Sequence, residues 1–203
     1  MNIYAPSDIE MKYVLNVYDN IADHFKKTRN TVWDAVKDFL DLLPCNQNGI
    51  EVGFGNGKNM HYAINLGHNI CGIDTCKHFV NICKNQYYFD VTQANATQQI
   101  YIDCTFDFAI SIAVLHHISD SNMRIKAFDN IINMLKPNGK GLISVWSVEQ
   151  PETSKKKFVE GDNYVNWNKP IDDNNKRYYV VYKRYYYVYS KRMFLDYLFL
   201  KHM

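Results

Sequence analysis

The chain has 203 residues, the size of one ordinary domain, and its 47% hydrophobic and 15% aromatic content excludes both a multidomain machine and a disordered chain. No run approaches the ~18 consecutive apolar residues of a membrane span, and Met1 to Glu10 lack a basic segment followed by an apolar one, so the expectation is a soluble, untargeted protein of the cytoplasm or nucleus with no membrane partner. The net charge of +2 is unevenly spread: residues 174–203 hold seven Lys/Arg against Asp196 alone, a balance of +6, which leaves sixteen basic and twenty acidic residues, a balance of −4, for the rest.

In chain order, Val14, Val17, Tyr18, Ile21, Ala22 and Phe25 recur three and four apart, which predicts a helix over Ile9 to Phe25. A second helix is expected over Thr31 to Leu43, with Val32, Val36, Phe39, Leu40 and Leu43 on its stripe and Pro44 beyond its end. The period then shortens. Gly49 to Gly53 reads as a strand that passes through a glycine run into a helix ending near Leu66, followed by a strand over Asn69 to Asp74 and a helix over Lys77 to Lys84. A third strand is expected within Tyr87 to Ala94. Phe106 to Val114 is nearly all apolar, as a strand buried on both faces of a parallel sheet should be. A helix over Asn122 to Leu135, a turn at Lys136-Pro137-Asn138-Gly139 and a strand over Gly141 to Ser147 complete five strand and helix alternations. The expected fold is therefore α/β, a doubly wound, mostly parallel sheet.

Five cysteines, an odd number with no CxxC pair, argue against a disulfide framework or a zinc ribbon. His61, His68 and His78 are irregularly spaced around them, and no metal site is expected.

The informative motif is Glu51-Val52-Gly53-Phe54-Gly55-Asn56-Gly57-Lys58 at the first strand-to-helix turn. Glycines there let the backbone approach a ligand, and the following helix presents its N-terminus. Asp74 ends the next strand, where an acid can accept from both hydroxyls of a ribose, so an adenosine-containing cofactor is expected. The spacing is GxGxG rather than the dinucleotide GxGxxG. A carboxylate at Glu51 is awkward beside a pyrophosphate and useful near a cation, which favours S-adenosylmethionine, with its sulfonium and α-amino group, over NAD.

The segments YVLNVYDNIADHFKKTRNTVW, EVGFGNGK, FDFAISIAVLHHIS, KPNGKGLISVWSVEQ and GDNYVNW, in this order, resemble the eukaryotic tRNA wobble-uridine carboxymethyl methyltransferases. The resemblance covers roughly Ile9 to Trp167. It implies a Rossmann-like class I methyltransferase that moves a methyl group from S-adenosylmethionine to the carboxylate of 5-carboxymethyluridine in the tRNA anticodon. The implied partners are tRNA and a small zinc-binding activator protein, which would pair with the edge strand near Val91 to Ala94. Glu51, Gly53, Gly55, Gly57 and Asp74 match the cofactor site, and Asn95 stands where the family has an aspartate near the adenine. Arg29 and His116 match residues beside the transferred methyl. Arg29 would orient the carboxylate and His116 would donate to it or wall the pocket, with His117 a weaker candidate; Tyr18 and Trp33 are expected to be core packing. A substrate carboxylate is already a nucleophile near neutral pH, so positioning rather than a general base is what the protein must supply.

On this reading residues 1–45 are helices covering the cofactor and substrate pocket, 46–150 the S-adenosylmethionine-binding core, and 151–203 a substrate-side insertion with a basic, tyrosine-rich strand. That last strand, Tyr178 to Ser190, is expected to pair with strand five, and the final strand pair of the family's sheet is expected to be missing. Eight tyrosines lie among the seven C-terminal cations, as in sites that take phosphates on cations and bases on rings. Lys183 and Arg184 are therefore candidate substrate-binding residues, the alternative being an ordinary solvated strand face. A relative that binds cofactor or RNA without turnover, or a methyltransferase for another substrate, remains open on these residues.

Overall fold

A computed structural model describes residues 5–154, 156–173 and 176–199. Five parallel strands, β1 (Asn48–Val52), β2 (Asn69–Asp74), β3 (Val91–Gln93), β4 (Phe106–Ile112) and β5 (Leu135–Ser144), form one sheet in the order β3-β2-β1-β4-β5. The order reverses between β1 and β4, which opens a crevice at the carboxyl ends of the strands, where doubly wound sheets bind ligands. Both faces are covered. Helices α2 (Asn16–Thr28), α3 (Asp34–Asp41), α4 (Lys58–Asn65) and α5 (Lys77–Tyr87) pack Ala22, Val36, Leu40, Met60, Phe79 and Cys83 against Phe108 and Ile110 on one side. On the other side α6 (Ser121–Asn133) packs Ala127, Phe128 and Ile131 against Ile50, Val52 and Ile73. This double burial is why Phe106 to Ile112 reads as a continuous apolar run.

Three boundaries differ from the sequence expectation, each for a physical reason. The first predicted helix is broken into α1 (Asp8–Glu10), a π-helical turn over Met11–Leu15, and α2. The wider turn shifts the apolar stripe so that Val14, Leu15 and Tyr18 line one cavity, in keeping with the tendency of π-turns to sit at functional sites. The Lys136-Pro137-Asn138-Gly139 turn lies inside β5 rather than before it: Leu135 pairs with Phe106 and the ladder resumes at Lys140 opposite Phe108. Asn138 takes φ 66° there, a bulge conformation that asparagine tolerates.

The third difference concerns the C-terminal segment. Tyr178 to Ser190 does not pair with β5; a single bridge between Ser147 and Tyr189 is the only link of that kind among the described residues. Instead β6 (Gly161–Asp173) and β7 (Lys176–Val188) form a separate antiparallel ribbon, followed by α7 (Lys191–Phe199). Within the ribbon Val165 faces Arg184 and Trp167 faces Tyr182. Directly opposite residues share a face, and Trp167 carries that face onto Val17, Tyr18, Ile21 and Phe25 of α2. Trp167 Nε1 donates to His24 Nδ1 at 3.1 Å and Lys169 Nζ to the Asn20 carbonyl at 2.7 Å. The base of the ribbon is thereby fixed over the crevice.

Candidate functional site

The crevice is a cavity of about 350 Å³, within the range of small-ligand sites. Its floor is built by the β1 turn. Gly53 and Gly55 lie at φ 77° and 54°, which side chains with a Cβ rarely adopt, and a Cβ on Gly53 would stand 2.2 Å from Val114 Cγ2. Asp74 closes the turn by accepting from Gly55 N and Cys76 N, both at 2.8 Å, one on each carboxylate oxygen. Each oxygen keeps a lone pair for a ligand. Glu51 is buried beneath: Asn59 Nδ2 donates to its Oε1 at 2.7 Å, while its Oε2 has no partner. Burial pushes the Glu51 carboxyl up to about 8. The Asp74 carboxyl rises to about 6, again mainly by burial, although the Cys76 and Gly55 N–H groups oppose the shift. Two desolvated acids, one with an orphaned oxygen, make a floor suited to hydroxyls and a cation.

The rim has the opposite polarity. Arg29, at the end of α2, donates from Nη1 to the Thr28 carbonyl and lies 4.9 Å from the Trp167 ring centroid. Its backbone carbonyl accepts from Asn56 Nδ2 at 3.0 Å, and Lys58 Nζ donates to the Thr31 carbonyl at 2.8 Å; two residues of the glycine turn thus hold the N-terminal helices over the cavity. Lys156 Nζ sits 5.2 Å from the Trp146 ring. Arg184, from β7, is buried to 7% exposure, with its guanidinium 4.8 Å from Trp167 and 5.2 Å from Tyr186.

Between floor and rim stand two histidines on a 3-10 turn, Leu115–His117. His117 Nδ1 lies 2.9 Å from the Tyr185 carbonyl, which can only accept, so Nδ1 carries the proton; Nε2 then accepts from Tyr18 Oη at 2.9 Å. Burial and Arg184 hold its pKa down, against the pull of that carbonyl, at about 3. His116 is 1% exposed, its Nδ1 has no partner, and its ring lies 4.6 Å from Tyr186. Burial, then the neighbouring His117 and Arg184, keep it well below the usual histidine range, so both rings are neutral at pH 7.

A model of the methyltransferase domain matches residues 50–143. Over 163 residues, 79% of this chain and 69% of the relative, the chain is 37% identical to a "tRNA (carboxymethyluridine(34)-5-O)-methyltransferase" of Schizosaccharomyces pombe. The chain belongs to this family. It is 39% identical over 153 residues to the Arabidopsis thaliana member, of whose length it spans 37%. Among solved structures, an S-adenosylmethionine-dependent methyltransferase from Clostridium acetobutylicum superposes with a TM-score of 0.64 at 16% identity, covering 90% of this chain and 86% of that one. A Haloferax volcanii methyltransferase complex with the Trm112 methyltransferase activator does so at 0.55 and 18% identity, over 65% and 60%. The fold is that of class I methyltransferases, and S-adenosylmethionine is the methyl donor against which the cavity is to be weighed. The residues present fit it: the orphaned Glu51 oxygen, the open lone pairs of Asp74 and the Cβ-free turn supply what a cationic nucleoside needs.

Among the residues singled out in the sequence, Glu51, Gly53, Gly55, Asp74, Asn95, Arg29, His116 and Arg184 line the cavity. Gly57 does not. It caps α4 at φ 75°, and a Cβ there would stand 2.9 Å from Cys83 Sγ and 3.1 Å from the Phe89 ring, so the absence of a side chain lets the turn pack closely against α5 and the residues after it. Asn95 Oδ1 already accepts from Thr97 N at 2.9 Å, leaving one lone pair. Trp33 is not core: it is 49% exposed at the cavity mouth with Lys58 Nζ 5.7 Å from its ring, and Tyr18 also lines the cavity. Arg184 does not share a solvent face with Lys183; Lys183 is exposed and Arg184 points inward. Asn59, Trp146, Lys156 and Tyr186 were not anticipated.

Proposed function

We propose that the chain transfers a methyl group from S-adenosylmethionine to the carboxylate of 5-carboxymethyluridine at the wobble position of tRNA. The observation that carries this reading is the division of one cavity into an acidic floor and a cationic, aromatic rim. The floor, Glu51 and Asp74, suits the cationic cofactor and its ribose. Asn95 keeps one carbonyl lone pair for an adenine amine. The rim, Arg29, Lys156 and Arg184 with Trp33, Trp146 and Tyr186, suits an anionic group carried on a flat base. Held by Glu51, Asp74 and Asn95, S-adenosylmethionine would supply an electrophilic methyl to a carboxylate oxygen, the electron pair of the broken S–CH3 bond staying on its sulfur, and no proton would have to move. The chain's own work is then to orient the carboxylate and exclude water. Neutral His116 walls the gap between floor and rim and offers at most one N–H. His117 is fully engaged between Tyr185 and Tyr18 and serves to fix Tyr18 in place.

The family relationship supports tRNA as substrate, and the exposed tyrosines and Lys183 of the ribbon offer it a surface. For the activator, we propose the edge of the sheet at β3, where Thr92 and Gln93 are exposed and no strand pairs with the outer side among the described residues. The decisive experiment incubates the purified chain, its activator and S-adenosylmethionine with tRNA bearing 5-carboxymethyluridine, and reads the wobble nucleosides by mass spectrometry. Conversion to the methyl ester is the expected result. Cofactor binding without any ester would assign the chain to a binding role.

A further inference from the structure

We infer that Arg184, rather than Arg29, is the side chain that recognises the substrate's carboxylate and makes the site select the charged acid over neutral analogues. This inference rests on the function proposed above and deepens it.

Three cations stand at the rim, and they differ in burial and in engagement. Arg29 and Lys156 are exposed, and Arg29 already donates to the Thr28 carbonyl. Arg184 is buried, its Nε–H has no acceptor, its guanidinium is otherwise met by the neutral Tyr18 and Tyr186 hydroxyls, and it makes no ion pair among the described residues. A guanidinium cannot shed its charge, and a desolvated charge without a counterion is retained at a cost that a partner must offset. An anion entering the cavity, which Arg184 lines, would supply that partner.

Geometry narrows the anion to a planar carboxylate. The Arg184 guanidinium is placed between the Trp167 and Tyr186 rings, and the β6–β7 pairing sets Val165 directly opposite it. These neighbours restrain the guanidinium at the cavity wall, where its fork can hold a carboxylate at two points. A backbone phosphate of RNA is bulkier and belongs to an exposed cation such as Lys183, one residue away on the other face. The same restraint explains the aromatic excess around position 184: Tyr18, Tyr186 and Trp167 cover the cation without neutralising it. When the acid becomes an ester the anion is gone, so the contact that selects the substrate also releases the product.

The test uses the full chain with its activator and a cofactor product analogue, S-adenosylhomocysteine, bound. Its ligands are anticodon stem-loops carrying 5-carboxymethyluridine, the neutral carbamoylmethyl analogue, or unmodified uridine. Wild type should bind the carboxylate at least tenfold tighter than the amide. In Arg184→Gln that ratio should fall to near one, while affinity for the unmodified loop and for the cofactor stays within about twofold. Arg184→Lys, which keeps the charge and loses the fork, should give an intermediate ratio, and Arg29→Gln should keep the wild-type ratio. A wild-type ratio near one, a ratio preserved in Arg184→Gln, or a tenfold loss of cofactor affinity in that variant would each overturn the assignment. If Arg184→Gln does not fold, the wild-type ratio and Arg184→Lys decide. Absence of ester formation by wild type rejects the proposed reaction itself, a result separate from the binding ratio.

Discussion

The floor and the rim of the cavity solve opposite electrostatic problems with opposite kinds of structure. The floor hangs on sheet strands and a turn with every conformational exception in place: positive φ at Gly53 and Gly55, a carboxylate tied to two backbone N–H groups, a second one buried by α4. The rim hangs on a helix end, a loop and a ribbon, and its cations lie against rings rather than acids. Fixed backbone suits a ligand that is the same in every turnover. Side chains arranged on a two-stranded ribbon suit a substrate that must be told apart from close analogues. A variant that alters one pole should therefore leave a signature that the other pole does not produce.

The largest effect is expected in the turn that builds the floor. Gly53→Ala places a methyl 2.2 Å from Val114 Cγ2 in a backbone at φ 77°. Left-handed backbone costs a non-glycine residue ~1 to 2 kcal/mol and overpacking a further ~1 to 3 kcal/mol, so chemical denaturation should show a loss of about 3 kcal/mol and cofactor binding should disappear. Val114→Ala in the same chain should recover the steric part only. Full recovery would mean that the conformation at Gly53 imposes nothing.

Next in size is the floor's response to pH. Glu51 ionises near 4.5 when unfolded and at about 8 in the fold without ligand. Between those values the folded state holds the extra proton, so stability falls as pH rises from about 4.5 towards 8. Asp74 adds the same sign between 3.8 and about 6. The Glu51 contribution alone is on the order of 3 kcal/mol at pH 7. Glu51→Gln should flatten the stability profile above pH 6 and stabilise the empty protein, while weakening S-adenosylmethionine in calorimetry. Parallel gain or parallel loss of stability and affinity would remove Glu51 from the cofactor. Asp74→Ala should lower affinity tenfold or more, since charge-assisted bonds of ~1.5 to 3 kcal/mol are lost, with little change in the carboxylate-to-amide ratio set at the rim.

The two poles also differ in how far the sequence reveals them. Periodicity and the apolar run at Phe106 identify the doubly wound sheet, and the glycine turn with Glu51 and Asp74 marks the floor, because local conformation alone dictates those residues. The rim is not local. Whether Arg184 faces solvent or cavity depends on which residue of β6 it opposes, and that register is set by Trp167 seating on α2, seventeen positions and a chain reversal away. The paired cations at 183 and 184 look like one patch in sequence and are two sites in space. Trp33 misleads for a related reason: it falls inside the helix expected from Thr31, but the helix begins one residue later at Asp34, so the ring leaves the core and reaches the cavity mouth.

The smallest effect sharpens this last contrast. Lys183 is exposed on the ribbon, and farther out Tyr178 and Tyr179 are 52% and 60% exposed, a cation with stacking surfaces for an RNA strand. The neighbouring Arg177 is less free, being held by Asp172 at 2.9 Å. One phosphate contact on single-stranded RNA contributes about −0.7 to the log–log dependence of affinity on salt. Lys183→Ala should therefore flatten the salt slope of tRNA binding by about that amount and leave the carboxylate-to-amide ratio untouched. Arg184→Gln should do the reverse, abolishing the ratio and keeping the slope, because a buried cation meets no condensed counterions to release. If both variants change the slope equally, the strand presents a single RNA-facing patch and the inward turn of Arg184 has no functional meaning. If neither does, the phosphate contacts lie elsewhere on the cationic rim, with Lys156 and Arg29 the next positions to measure.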